Sequence, residues 1–147
     1  MGYKRLPYIQ TTGEQYINTN YYPSNHTRVI LDFYNLATST SVLLGSRDAL
    51  NLNAFVLWTS ASKTDEIKFD VGSQIFYIDQ NVSKKLKITA KNDYILTNDV
   101  SVSFEPEEFS TNYPLCLFAN NSGGTIDDRQ AVGLFFGLKI YDETRLV

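Results

Sequence analysis

Polar and apolar residues alternate through most of this chain, and no segment sustains a helical period. Arg28 to Tyr34 sets Val29, Leu31 and Phe33 on one face of a predicted strand. Ile67, Phe69 and Val71 alternate with Lys68 and Asp70, and Leu86, Ile88 and Ala90 with Lys85, Lys87 and Thr89. Tyr94 to Leu96 and Val100 to Phe104 flank Thr97-Asn98-Asp99, a polar turn of hairpin length. Phe55 to Trp58 and Leu115 to Phe118 are short apolar runs, as expected of strands covered on both faces. Val132 to Asp142 is the longest run, with Leu134, Phe136, Leu138 and Ile140 on one side. Gly133 and Gly137 on its other side leave room for close backbone approach or a bulge. The expected core is Val29, Leu31, Phe33, Phe55, Leu57, Phe69, Ile88, Leu117, Phe136, Leu138 and Ile140.

Asn, Asp, Gly, Ser and Thr interrupt these runs every few residues. The strongest breaks are Asn35 to Ser41, Ser60 to Asp65 and Asn120 to Asp128. Glu105-Pro106-Glu107-Glu108 suits a single helical turn with Pro106 at its first position. Short strands at this spacing predict an all-β antiparallel sandwich or barrel.

A length of 147 residues fits one domain over 1–147, large enough to fold without disulfides or metals. Met1-Gly2 reads as an added start, so the chain is expected to be a piece of a longer protein without its own signal peptide. A net charge of -3 advertises neither nucleic acid nor an anionic membrane surface. No run approaches the roughly 18 apolar residues of a membrane span, so no membrane insertion is expected. Cys116, the single cysteine, lies in the apolar Leu115-Cys116-Leu117-Phe118 and reads as a buried thiol.

Several segments carry a resemblance. Leu6-Pro7-Tyr8-Ile9-Gln10-Thr11-Thr12-Gly13-Glu14-Gln15-Tyr16-Ile17-Asn18-Thr19 is followed by Asn25-His26-Thr27-Arg28 and then by Leu43-Leu44-Gly45-Ser46-Arg47. Late in the chain come Tyr113-Pro114-Leu115-Cys116-Leu117-Phe118-Ala119-Asn120-Asn121 and Gly137-Leu138-Lys139-Ile140-Tyr141-Asp142. In this order they resemble the concanavalin A-like (laminin G-like) jelly-roll domain of phage tail proteins and of surface proteins of gut bacteria. The resemblance implies a jelly-roll β-sandwich whose first and last segments lie near each other. It also implies an attachment or carbohydrate-binding module, located in a phage tail (virion) or at a bacterial cell surface, with the other subunits of that assembly as partners. Gly13 and Gly45 are expected at tight turns, and Tyr8, Ile17, Phe118 and Ile140 in the core.

Chemistry is not expected. Retaining glucanases on this fold alternate acids along one strand, because two carboxylates about 5 Å apart must face the sugar. No such stretch occurs: Glu105, Glu107 and Glu108 surround Pro106, and Glu66 and Asp70 read as a surface face beside Lys68. His26, the only histidine, lies in a turn-like stretch without a Gly-x-Ser-x-Gly elbow. No cofactor is predicted. Calcium is the one metal with a donor set, from Asp127, Asp128, Asn120, Asn121 and the carbonyls of Gly123 and Gly124, and the alternative is a polar hairpin loop.

Sugar sites pair an aromatic platform with polar groups that fork onto hydroxyls. The candidates are Trp58, Arg47, Asp48, Tyr77, Asn120 and Arg129. Trp58 ends a strand: if Phe55 and Leu57 are core, it points to the opposite surface or its rim, while core packing is the competing role. Arg47-Asp48 is either a structural ion pair or a hydroxyl fork. Two functions follow: binding of a cell-surface polysaccharide or oligosaccharide, or a structural, protein–protein role on the same fold. They differ in whether Trp58, Arg47 and Tyr77 converge on one exposed patch.

Overall fold

The computed structural model describes residues 7–60 and 65–147; Leu6 and residues 61–64 of the Ser60–Asp65 break lie outside them. The strands are β1 (Ile9–Thr12), β2 (Ile17–Asn18), β3 (Thr27–Asn35), β4 (Ser41–Arg47), β5 (Ala54–Ser60), β6 (Glu66–Gly72), β7 (Gln74–Asp79) and β8 (Leu86–Lys91). They continue with β9 (Tyr94–Leu96), β10 (Ser101–Ser103), β11 (Cys116–Leu117), β12 (Asn120–Ser122), β13 (Thr125–Ile126), β14 (Val132–Asp142) and β15 (Arg145–Leu146). No helix occurs among the described residues, and Glu105 to Glu108 is extended chain rather than the expected turn. The reason is that Glu107 is tied elsewhere: its carboxylate accepts from the Ser73 backbone N–H at 3.0 Å and hydroxyl at 2.8 Å, bracing the β6–β7 hairpin.

Two sheets face each other. The first runs β1-β14-β3-β8-β9-β10, with β15 on the end of β14. The second runs β13-β12-β4-β5-β6-β7, with β11 on β4 and β2 on β11. Every strand pairing is antiparallel except β12 on β4. The chain's two ends meet in the first sheet, where Ile9 pairs with Phe135.

The core lies between the sheets, where β3 buries every second residue. Val29, Leu31 and Phe33 pack with Leu86 and Ile88 against Phe55, Leu57, Ile67, Phe69 and Val71. Each such side chain contributes roughly 1.5–3 kcal/mol on leaving water. Phe55 and Phe69 meet edge to face at 5.3 Å, and Phe118 lies 4.4 Å from Phe135. Leu117, Leu138 and Ile140 are half-buried at the margin of this cluster.

Phe136 is not a core residue. The β14–β3 register shifts between Phe135 and Gly137, so the bulge turns Phe135 inward and sets Phe136 against Tyr8 and Lys85. An inserted residue reverses strand parity, which period-two reading cannot see. Tyr8 and Ile17, expected inside, are 42% and 45% exposed because β1 and β2 are edge strands. Gly13 does occupy a turn, at φ +96°. Gly45 does not: it lies within β4, where a Cβ would fall 2.6 Å from Val56 Cγ1.

The segment after β11 positions the site. β11 and β12 both pair with Gly45, one antiparallel and one parallel, so the chain must double back between them. It does so at Phe118, whose φ of +68° costs about 1–3 kcal/mol in a bulky residue. Burial of the ring under Phe135 offsets that strain. The reversal makes a strand of Asn120–Ser122, inside the expected Asn120–Asp128 loop.

Phe135→Ala should cost about 3–5 kcal/mol in chemical denaturation, and Phe136→Ala about 1 kcal/mol. The reverse order would put the bulge at the wrong residue.

Candidate functional site

β5 is buried on both faces. Phe55 and Leu57 meet the other sheet, while Ala54, Val56 and Trp58 point away from it and form a second cluster with Val42. Among the described residues no third layer covers that outer face, yet Trp58 is only 1% exposed. Cations cover it. Arg129 Cζ lies 4.4 Å from the indole centroid, Lys68 Nζ 4.7 Å and Arg47 Cζ 5.9 Å. Each contact is worth about 0.5–2 kcal/mol, more as water is excluded, and the aliphatic stems add apolar cover.

Local structure delivers each cation. Lys68 is the cross-strand neighbour of Trp58 on β6. Arg47 follows Gly45 by two residues and shares its face of β4; Gly45 has no side chain to obstruct Val56. Arg129 follows β13, and the Val42 N–H donates to its carbonyl at 2.7 Å, which straps it beside the indole.

Two carboxylates hold the cations in place. Asp70 is buried, accepts from Trp58 Nε1 at 3.2 Å, and lies 3.3 Å from Lys68 Nζ and 3.8 Å from Arg47 Nη1. Burial raises its pKa above the ordinary carboxylate value, against the opposing pull of Lys68, Trp58 and Arg47. Asp127 takes Arg129 bidentately, Nε at 3.0 Å and Nη2 at 2.7 Å. The hydrogen bonds from Arg129 hold the Asp127 carboxyl below its ordinary value. Arg47 Nε donates to Ser122 Oγ at 3.0 Å. Asn120 is fully buried on the same face, and neither its amide oxygen nor its nitrogen has a partner among the described residues. Such a group costs about 1–3 kcal/mol.

Beside Arg129 opens a cleft of about 330 Å³, lined by Thr38, Ser39, Thr40, Ser41 and Gln130 among others. It presents hydroxyls and an amide next to the guanidinium.

Four of the six expected residues therefore come together: Trp58, Arg47, Asn120 and Arg129. Tyr77, 65% exposed, shares the face as the cross-strand neighbour of Lys68 on β7. Asp48 does not join them. It accepts from Asn112 N and Nδ2, each at 2.7 Å, and from Asn53 Nδ2 at 2.8 Å, and so knits loops together. Arg47 and Asp48 form no ion pair with each other; Arg47 turns to Asp70. Trp58 is neither an exposed platform nor part of the main core, since its ring is sealed under the cations. Asn120 lies on a strand rather than a loop. Lys68, Asp70 and Asp127 were not among the expected site residues. Alternation marks Lys68 and Asp70 on a common face, but only the β5–β6 register sets them against Trp58. Asp70, expected on the surface, is buried by that register.

The other expected chemistries fare differently. Two of the expected calcium donors are engaged: Asp127 by Arg129, while the Asn121 side chain donates to the Pro114 carbonyl and accepts from Gly124 N. No cluster of three metal-binding side chains occurs among the described residues. His26 is exposed beside Glu143. Cys116 is buried, which pushes its thiol pKa up. The charged neighbours of Asp70 are cations, an arrangement unlike two carboxylates flanking a bond.

No family model and no curated protein matches the sequence. Solved structures do match. The CBM40 domain of Ruminococcus gnavus IT-sialidase, bound to α2,3-sialyllactose, is 9% identical with TM-score 0.63, covering 93% of this chain and 90% of that one. A heptameric SAP-like pentraxin from Limulus polyphemus is 11% identical with TM-score 0.59, covering 93% of this chain and 75% of that one. Domains LG4-5 of the mouse laminin α1 chain are 13% identical with TM-score 0.60, covering 95% of this chain and 42% of that one. The fold is the concanavalin A-like jelly roll.

Trp58, the sole tryptophan, should emit at a blue-shifted maximum and resist aqueous quenchers. Arg129→Ala should shift emission to the red and open the ring to iodide. A solvent-like maximum in the unaltered protein would contradict the cationic cover.

Proposed function

We propose that this chain is a non-catalytic carbohydrate-binding module that takes glycan on the outer face of the second sheet. One observation carries the reading. Arg47, Lys68 and Arg129 converge on Trp58, on the face that also holds the unpartnered amide of Asn120, next to a cleft lined with hydroxyls and Asp128. Arg129 bridges the two halves: it lies on the indole and forms part of the cleft wall. Sugar hydroxyls both accept and donate, so they suit guanidinium, ammonium and amide groups together. Tyr77, open to solvent beside Lys68, offers the aromatic surface that Trp58 does not. The likeness in fold to a module bound to sialyllactose supports the reading.

The setting rests on the segment resemblance. We place the module at the attachment end of a phage tail or bacterial surface protein, held among other subunits of that assembly. Each hydroxyl hydrogen bond replaces one to water, so the net gain per site is small. A single-site dissociation constant near the millimolar range, about -4 kcal/mol, is expected, and useful adhesion then needs several copies.

A glycan array that includes host cell-wall polysaccharide, followed by calorimetry, tests this. Arg129→Ala should abolish binding and Tyr77→Ala weaken it several-fold, with both variants folded. Absence of binding to every glycan by the folded protein would favour the structural, protein–protein role.

A further inference from the structure

We infer that the glycan is acidic and that its carboxylate sits between Arg129 and Lys68, above the Trp58 indole; this rests on the glycan reading. Three cations touch one ring, and two carboxylates, Asp70 and Asp127, contact them. Three against two leaves a net excess of one positive charge among the groups in contact, because Asp70 serves both Lys68 and Arg47. Asp128, on the cleft wall, also acts on Arg129 but makes no hydrogen bond to it among the described residues.

The free donors lie where a ligand can reach them. Asp127 occupies the Nε–Nη2 edge of Arg129, which leaves Nη1 without a partner among the described residues. The Arg129 side chain is 49% exposed. Lys68 carries three protons, and its contact with Asp70 occupies one direction. Arg47 lies deeper and is spent on Ser122 and Asp70. A planar carboxylate suits a guanidinium edge and an ammonium better than a hydroxyl does, because both bonds are charge-assisted. Its single negative charge matches the excess.

The second observation is the buried Asn120 amide, whose oxygen and nitrogen are both without a partner among the described residues, on the same face beside Gly45 and Val56. Such an amide costs stability, which a polar group reaching it would relieve. The cleft along Thr38, Ser39, Thr40 and Ser41 then takes the neutral part of the sugar.

Calorimetry on matched pairs tests this: digalacturonate against its methyl ester, and sialyllactose against lactose. The acid of at least one pair should bind about tenfold tighter or more than its neutral mate, as expected for a charge-assisted hydrogen bond. Raising the salt should erase most of that difference. Lys68→Met, with its fold checked by thermal melting, should weaken the acid by several-fold more than the neutral sugar, so that the ratio of the two affinities falls toward one; an unchanged ratio overturns the inference. Equal binding of acid and neutral mate overturns the inference and leaves the glycan reading standing. A sulfated sugar binding tighter than the carboxylated one overturns the carboxylate assignment. Failure of every sugar, acid or neutral, overturns the glycan reading itself.

Discussion

A two-layer sandwich can hide an apolar residue on the inner face of a sheet, but not on the outer one. Trp58 occupies an outer position on β5 and is nonetheless sealed. The cover must therefore come from side chains long enough to lie across the ring. Arg47, Lys68 and Arg129 meet that requirement, with stems over the apolar ring and charged heads toward water. Everything else at the site follows from this constraint. The cations need counter-charges, so Asp70 is buried beneath them and Asp127 is locked to Arg129. The Trp58 N–H needs an acceptor, and Asp70 supplies that too. Gly45 must lack a side chain so that β5, β4 and β12 can lie close enough to bring Asn120 in.

The arrangement is a polar network of the kind that is costly if incomplete. Most of its members are satisfied. Asn120 is the clearest exception: both ends of its amide lack a partner among the described residues, where it lies against Gly45 and Val56. A face built only for stability would have placed an apolar residue there, next to Val56.

Much of the fold was legible in the sequence because alternation reports burial directly. β3 and β8 follow the pattern residue for residue, and β6 follows it up to Asp70, which is buried. The pattern failed where an extra residue enters a strand, as at Phe136, since parity then flips without any compositional sign. It also failed at β12, whose Asn-Asn-Ser reads as a loop but is a strand buried under Arg47 and its neighbours. At the site, residue types pointed to Trp58, Arg47, Asn120, Tyr77 and Arg129, and these do share one face. What sequence could not supply was their mutual geometry. The three cations come from three distant segments, and only strand register brings Lys68 opposite Trp58. The sequence left Trp58 either a surface ring or a core residue, and it is neither: the ring lies sealed beneath the cations it aligns.

If ligand is taken at this cationic cover and not at another face, the side chains that form the cover must respond to it. Proton–nitrogen NMR of the labelled protein tests it, because the side-chain resonances of Trp58 Nε1, Arg47 Nε and Arg129 Nε can be followed individually as an oligosaccharide is added. The account predicts that these three move together, with backbone amides of Thr38 to Ser41 close behind, while the outer face of the first sheet stays still. Shifts confined to the first sheet or to the exposed edge strands β1 and β2, with the Trp58 and Arg129 side-chain signals unmoved, would contradict it.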